Sequence, residues 1–267
     1  MIAVIMAVYR NDKLDYLKDA LESLYNQTLK ADIFIQVDGE IPLELSNYLN
    51  QELMNGHLTF LGMHDTNIGL AGSLNELLQI VLLKYTYIVR MDADDISVHS
   101  RIEKQVQFLE NHKNIHALGG WIEEFNMDTN QVQTITYGEK NDVLKSNLMK
   151  RNPMAHVTIC FRNSFFDTID LYDSSKSNED LDLWIRALKK DIKLHNLQEI
   201  LVRVRTSNAF FSRRKNIKRA VEVMYLKFDA TKAFHFGLRG YVYAFLHFLL
   251  FLSPTWIKQY IYKNFRG

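Results

Sequence analysis

The chain has 267 residues, of which 47% are hydrophobic and 24% are charged, enough to bury a substantial core. Its 32 Lys and Arg residues balance 31 Asp and Glu residues, which gives no sign of a nucleic acid polymer as partner. The single Cys160 excludes an internal disulfide framework, and only 3 Pro and 11 Gly argue against long disordered linkers.

The first half of the chain alternates between strand and helix patterns. Strands are predicted at residues 2–8, 32–39, 57–62 and 87–91, and helices at 14–24, 43–54, 71–83 and 101–112. This alternation predicts a parallel sheet with helices on both faces. Ligands bind beyond the carboxyl ends of such strands, so Asp38 and the segment Asp92–Asp95, which both follow strands, should converge on one crevice.

The pattern is looser after residue 115. Strands are predicted at residues 117–125, 157–161 and 199–205, and helices at 180–190 and from about 213 to 236.

Asp92, Asp94 and Asp95 stand directly behind an apolar strand. Like charges at this spacing repel each other, and the repulsion grows as water is excluded. One interpretation is a solvated turn. The other is a divalent cation held by carboxylate oxygens, the hard ligands that Mg²⁺ prefers.

Several motifs resemble inverting glycosyltransferases of family 2, and they run in the order of that family. They are "VIMAVYRND" (4–12), "IQVDG" (35–39), "NIGLAGSLNELL" (67–78), "RMDADDIS" (90–97), "NPMAHVTICFR" (152–162) and "EDLDLWIRAL" (179–188). The resemblance spans residues 2–206. It implies an α/β GT-A fold, a Rossmann-like and mostly parallel sheet flanked by helices. The composition of the last residues adds the expectation of a C-terminal helical membrane-associating tail.

The resemblance also implies a domain organisation. Residues 1–206 would form the GT-A catalytic domain, with a nucleotide-sugar half (1–115) and an acceptor half (116–206). Residues 207–267 would form a C-terminal helical region at the membrane interface.

On the donor side, the resemblance implies that Asp94 binds Mn²⁺ or Mg²⁺ directly. Asp92 would contact the ribose or reach the metal through water, Asp95 would orient the loop, and Asp38 would contact the uracil ring. Asp38 could instead be only a turn residue. The remaining donor-binding residues implied by the resemblance are Ala7, Val8, Tyr9, Arg10, Asn67, Gly69, Asn75, Arg90, Met91 and Ala93.

Three of these residues have a simpler interpretation. Tyr9 could be a core aromatic, Asn67 could only cap a helix, and Arg90 could brace the sheet.

On the acceptor side, an inverting transfer needs one carboxylate to take the proton of the attacking hydroxyl. The resemblance makes Asp180 the first candidate and Glu179 the second. The alternative is an acidic first helical turn that favours the helix dipole. His156 and Trp184 could line the acceptor pocket, or belong to the core.

The tail differs in composition from the rest of the chain. Its apolar run, Tyr241 to Leu252, is about half of the ~20 residues that cross a bilayer. Aromatic residues and basic flanks (Arg213, Arg214, Lys215, Lys218 and Arg219, then Lys258, Lys263 and Arg266) predict a segment in the membrane interface. The alternative is a helix packed on the protein's own core or in a dimer interface.

The resulting hypothesis is a metal-dependent transferase that moves a sugar from a UDP-sugar to a lipid-linked or oligosaccharide acceptor. The resemblance places such enzymes in the synthesis of capsule, O-antigen or exopolysaccharide. The N-terminus lacks a signal peptide pattern, so we expect a cytoplasmic protein, peripheral on the inner face of the cell membrane.

Two alternatives remain open. A sugar-phosphate nucleotidyltransferase would need a Gly-rich loop after the first strand, which "VYRND" does not provide. A scaffold that retains the fold without catalysis would not need Asp92, Asp94 and Asp180.

Overall fold

The structure is a computed structural model that describes residues 1–207, 217–254 and 257–258. The strands are β1 (Ile2–Tyr9), β2 (Asp32–Asp38), β3 (Phe60–Met63), β4 (Tyr87–Asp92), β5 (Ile96–Ser97), β6 (Ile115–Asn126), β7 (Val132–Ile135), β8 (Cys160–Arg162) and β9 (Lys193–Thr206). The α-helices are α1 (Leu14–Tyr25), α2 (Leu43–Met54), α3 (Gly69–Val81), α4 (Arg101–Asn111), α5 (Asn141–Asn147), α6 (Glu179–Lys189), α7 (Ile217–Ala233) and α8 (Gly237–Leu252).

The first four long strands form the predicted parallel sheet. They run in the order β3-β2-β1-β4, each parallel to its neighbour. Alternate residues of β1 point to opposite faces: Ile5 packs in a core cluster with Leu74 of α3, and Met6 packs in another with Leu17 of α1. Helices therefore cover both faces of β1, which explains its unbroken apolar run.

The second half continues the same sheet with mixed strand directions. Within the described residues, the full sheet has nine strands in the order β3-β2-β1-β4-β8-β6-β9-β5, with β7 on the side of β6. β8 is antiparallel to both β4 and β6, whereas β6 and β9 are parallel. The parallel character expected for the sheet therefore belongs mainly to its first half.

The strand predicted at residues 157–161 is only partly present. Residues His156–Thr158 form a 3-10 turn, and β8 begins at Cys160. The turn is held in place because the Arg101 guanidinium donates to the carbonyl oxygen of Val157 at 2.9 Å. β5, β7 and α5 were not predicted, since they are short and have little periodicity.

Helices α7 and α8 follow the sheet. α7 buries Ala220, Val223, Leu226 and Ala230 against the core, among other residues. α8 buries only Gly240 and Ala244. Among the described residues, no helix is both long enough and apolar enough to cross a membrane. The predicted helix start at 213–216 and the basic residues Lys263 and Arg266 lie outside the described residues.

Candidate active site

A cleft of about 480 Å³ opens at the carboxyl ends of the parallel strands. Register places Tyr9 of β1 beside Asp38 of β2, and Ala7 beside Asp92 of β4. The expected convergence of Asp38 with the acidic cluster is therefore confirmed. The cleft is lined by Ala7, Tyr9, Asp12, Asp38, Asn67, Gly69, Leu70, Asp92, Ala93 and Asp94.

The acidic cluster is compact and partly dry. One carboxylate oxygen from each of Asp92, Asp94 and Asp95 lies within 4.8 Å of the others. Asp95 is only 3% exposed, and the other two side chains are half-buried, so the cluster is not a solvated turn. Burial, reinforced by the charge of Asp92, raises the pKa of Asp94 to about 6. Burial and the charge of Asp94 also raise the pKa of Asp95.

Two arginines hold the ends of this cluster. The buried Arg90 guanidinium forms a two-pronged ion pair with Asp92, in which Nη1 donates to Oδ2 at 2.6 Å. Arg205 donates its backbone N–H to Asp95 Oδ1 at 2.9 Å and its Nε to the Asp94 carbonyl oxygen at 2.8 Å. Arg90 therefore fixes the position of the Asp92 carboxylate, and its contact with the donor stays a prediction.

Asp38 organises the loop that enters α3. Its carboxylate accepts hydrogen bonds from Asn67 Nδ2 at 2.8 Å, the Ile68 N–H at 2.6 Å and the Gly69 N–H at 3.1 Å. Gly69 has a φ of +82°, a left-handed conformation that favours glycine. At Gly39 a Cβ would lie 2.9 Å from the Asn67 nitrogen, so the loops touch there. Asp38 is therefore a structural anchor that also lines the cleft, and its contact with a base stays a prediction.

Asp12 is a site residue to which no role was assigned from the sequence pattern. It lines the cleft, and its Oδ2 accepts a hydrogen bond from the Tyr9 N–H at 2.9 Å. Burial raises its pKa to about 7, with a smaller contribution from the charges of Asp94 and Asp92. Its position three residues after Tyr9 was the available signal, but spacing alone does not show that the turn brings Asp12 back to the cleft.

The remaining predicted donor residues fall into three groups. Ala7, Tyr9 and Ala93 line the cleft. Tyr9 is 37% exposed, so the interpretation of it as a core aromatic is wrong. Val8 and Met91 are at most 1% exposed within the core, so only their backbone atoms could reach a ligand.

Arg10 and Asn75 are not among the residues that line the cleft. Arg10 is exposed. The amide of Asn75 donates to the Tyr172 carbonyl oxygen at 2.8 Å and accepts from the Tyr172 N–H at 2.9 Å. Both polar ends of the Asn75 side chain therefore tie α3 to the acceptor half.

Glu179 and Asp180 begin α6 on the acceptor side. Asp180 Oδ1 accepts from the Leu181 N–H at 2.7 Å, and Oδ2 accepts from the Asn152 amide. Burial raises the pKa of Asp180, and burial together with the charge of Asp180 raises the pKa of Glu179 to about 7. The positive charge of Arg90 opposes both increases in pKa.

His156 and Trp184, the two aromatic residues considered for the acceptor pocket, lie in different surroundings. His156 Nε2 lies 2.8 Å from the Tyr172 hydroxyl, and burial holds its pKa well below the usual range, so this imidazole is neutral. Trp184 is 0% exposed within the core. Of the two interpretations of Trp184, the core residue is confirmed and the acceptor-pocket residue is wrong, because a fully enclosed indole has no free face.

Comparisons with known proteins identify relatives of this chain. A sequence profile described as "Glycosyl transferase family 2" matches residues 3–218. The UDP-Gal:alpha-D-GlcNAc-diphosphoundecaprenol beta-1,3-galactosyltransferase of Escherichia coli is 27% identical over 98% of this chain and 95% of its own. The amylovoran biosynthesis glycosyltransferase AmsE of Erwinia amylovora is 28% identical over 100% of this chain and 99% of its own.

A solved structure has the same fold. The mannosyltransferase PcManGT of Pyrobaculum calidifontis, in complex with GDP-Man and Mn²⁺, superimposes with a TM-score of 0.68. The alignment covers 100% of this chain and 76% of that one, at 13% identity. At this identity the likeness establishes the GT-A fold alone.

Proposed function

Since this chain belongs to glycosyltransferase family 2, we propose that it is an inverting, metal-dependent enzyme that transfers a sugar from a UDP-sugar to a lipid-linked glycan. These relatives are glycosyltransferases, and the names of two place them in polysaccharide or lipid-linked glycan synthesis. The proposal extends that role to a bacterial surface polysaccharide such as capsule, O-antigen or exopolysaccharide.

One observation carries the proposal. The cleft at the strand ends brings the carboxylates of Asp92 and Asp94 to the same wall as Asp38, at the edge where sheets of this kind bind ligands. The acid pair at the start of α6 offers a proton acceptor to a second substrate. That arrangement suits a reaction between two substrates, whereas a nucleotide-binding scaffold has no need of the acid pair.

The residues present fit a divalent cation. Asp94 and Asp92 offer carboxylate oxygens at the cleft, and Asp95 stands behind them in a buried position. Bound there, Mn²⁺ or Mg²⁺ would offset the negative charge of a departing diphosphate. The raised pKa of Asp94 follows from burial and from the charge of Asp92, a repulsion that a cation would relieve.

The acid pair supplies the proton acceptor. Asp180, held by Asn152 and the Leu181 N–H, takes the proton of the acceptor hydroxyl. The acceptor oxygen then bonds to the anomeric carbon of the donor sugar. The bond between this carbon and the diphosphate oxygen breaks on the opposite face, and the diphosphate leaves with the bonding electron pair. Burial raises the proton affinity of Asp180, which suits a general base that works near neutral pH. Glu179 is the second candidate.

The choice of UDP rests on the name of the Escherichia coli relative, which specifies UDP-Gal, and on the position of Asp38. A uracil ring N–H could donate to this carboxylate, whose acceptor capacity exceeds the three hydrogen bonds it already receives. The solved mannosyltransferase has GDP-Man bound, so guanine is the competing base.

The proposed acceptor is lipid-linked because the same relative acts on a diphosphoundecaprenol. α8 would bring this chain to such a lipid. Its exposed side chains include Phe245 at 52%, Leu246 at 53% and Leu249 at 45%, and the helix has no acidic residue. An apolar helical face of this kind can lie in the headgroup region of the inner leaflet.

Calorimetric titration of UDP, UDP-sugars and GDP-sugars, with and without Mn²⁺, tests the proposal. We expect UDP binding that depends on Mn²⁺ in the wild type and is lost in Asp94→Ala. Asp142→Ala, which changes an exposed aspartate of α5, is the matched control and should bind normally. No nucleotide binding by folded wild type would contradict the enzyme hypothesis. Equal binding without metal would contradict metal dependence, and preference for GDP would contradict the choice of base.

A further inference from the structure

Helix α7 holds the loop that leads into the acid pair. The Glu222 carboxylate accepts the Ser177 N–H at 3.0 Å, the Ser177 hydroxyl at 2.8 Å and the Asn178 N–H at 3.1 Å. Together with Asn178 Nδ2 at 3.5 Å, four donors from two consecutive residues converge on one side chain, which lies 44 positions beyond Asn178 in the sequence.

A second contact comes from the same face of α7. Arg219, three residues before Glu222, donates its Nε to Asn178 Oδ1 at 3.1 Å. The charge of Arg219 also lowers the pKa of Glu179 and Asp180, against the larger effect of burial. α7 thus meets this loop through both hydrogen bonds and charge.

The loop held by Glu222 directly precedes the proposed base. Asn178 is the N-cap of α6, and its side chain makes no capping hydrogen bond within the helix. The next residues are Glu179 and Asp180, whose carboxylates therefore depend on the backbone position of Ser177 and Asn178. We propose that Glu222 is a positioning residue, which fixes the entrance of α6 so that the acid pair faces the acceptor.

This role requires an ionised Glu222. Although burial acts in the opposite direction, hydrogen bonds from Ser177 and Asn178 lower its pKa below the ordinary value. It is therefore a carboxylate at neutral pH, and hydrogen bonds to an ionised acceptor are about twice as strong as neutral ones. The proposal rests on the proposed function, because it assigns a purpose to the acid pair of a transferase.

The kinetic effect should be large in turnover and small in donor binding. A misplacement of about 1 Å at a reacting group can cost on the order of 100-fold in rate. We expect Glu222→Ala to lower kcat by roughly 10- to 100-fold while the Kd for UDP stays unchanged. Glu222→Gln keeps the shape and one acceptor oxygen, so it should recover part of the lost rate.

Asp229→Asn is the matched control. Asp229 lies two turns further along α7 and pairs with Lys189 of α6 at 2.5 Å. It links the same two helices at the end of α6 that is far from Glu179. If Glu222 acts only by docking α7 on α6, both variants should lose activity equally, and that result would overturn the proposal.

Hydrogen exchange over residues 175–182 provides a measurement that does not depend on activity. We expect faster exchange there in Glu222→Ala, an intermediate rate in Glu222→Gln, and the wild-type rate in Asp229→Asn. Unchanged exchange in Glu222→Ala, or unchanged kcat despite faster exchange, would overturn the positioning role. If the wild type transfers no sugar while the exchange pattern is as expected, the proposed function is wrong. The conclusion that Glu222 orders the loop at Ser177 and Asn178 would still be supported.

Discussion

Replacing Asp180 with Asn removes the proposed base and leaves almost the whole shape of the side chain. Asp180 Oδ1 accepts from the Leu181 N–H at 2.7 Å, and the Asn oxygen can keep that bond. The new amide nitrogen would face Asn152, which now donates to Asp180. At most one hydrogen bond is lost, which costs about 1 kcal/mol of stability, or about 2–4 °C in Tm.

The chemical cost is larger. A positioned general base contributes about 10²- to 10⁴-fold to a rate. At about 1.36 kcal/mol per factor of ten, that is roughly 2.7–5.5 kcal/mol in the activation barrier. We therefore expect kcat to fall by at least ~100-fold while the protein stays folded and binds the donor.

The assay measures transfer of labelled sugar to a lipid-linked acceptor, together with donor affinity and the melting temperature. Asp182→Asn is the control: Asp182 lies on the same helix but pairs with Arg186 at 2.7 Å. It should keep most of the activity. Glu179→Gln tests the second candidate for the base.

A fall in kcat of less than tenfold in Asp180→Asn would refute its assignment as the base. Loss of donor binding in step with kcat would refute it as well, because the acid pair would then act on the donor. Loss of activity in Glu179→Gln alone would move the role of base to Glu179.

The remaining predictions concern the site and the tail. Asp38→Ala leaves its three donors unpaired, so we expect about 2–3 kcal/mol of destabilisation by urea unfolding; an unchanged midpoint would contradict the anchor role. Burial raises the pKa of Asp180, and only the ionised base is active, so kcat should fall as pH drops through that raised pKa. Arg219→Gln should move this midpoint upward, because it removes a charge that lowers the pKa; a downward shift in the pH–rate profile would contradict the argument. Leu246→Glu should reduce the fraction of protein that sediments with anionic vesicles, at unchanged Tm, because it places a charge on the exposed apolar face of α8. Vesicle binding equal to that of the wild type would contradict a membrane contact through α8.

Local patterns were enough to predict the first half of the fold. The apolar run of β1 and the leucine spacing of α1 depend on neighbours a few residues away, so periodicity identifies them. α2 matches its predicted range of 43–54 at both ends. β5 and β7 have two and four residues, too few for a period to be visible.

The candidate site divides in the same way. The order of the motifs placed Asp38 and Asp94 at the ends of strands, and parallel strands end at one edge of the sheet. It placed Asp180 at the start of a helix. No pattern separated Trp184, a core residue, from a surface platform, since both occur on a helix at the same spacing. Burial is a property of the assembled protein, so only the tertiary structure could decide between them.

The sequence by itself determined the type of fold, the family and the acidic residues at the strand and helix ends. The tertiary structure decided which side chains share a space. It brought Asp12 back to the cleft, joined Asn75 to Tyr172, and set Glu222 against Ser177. Such contacts join segments far apart in the chain, and they form only when the helices pack on the sheet. Periodicity over a few residues therefore cannot predict these contacts.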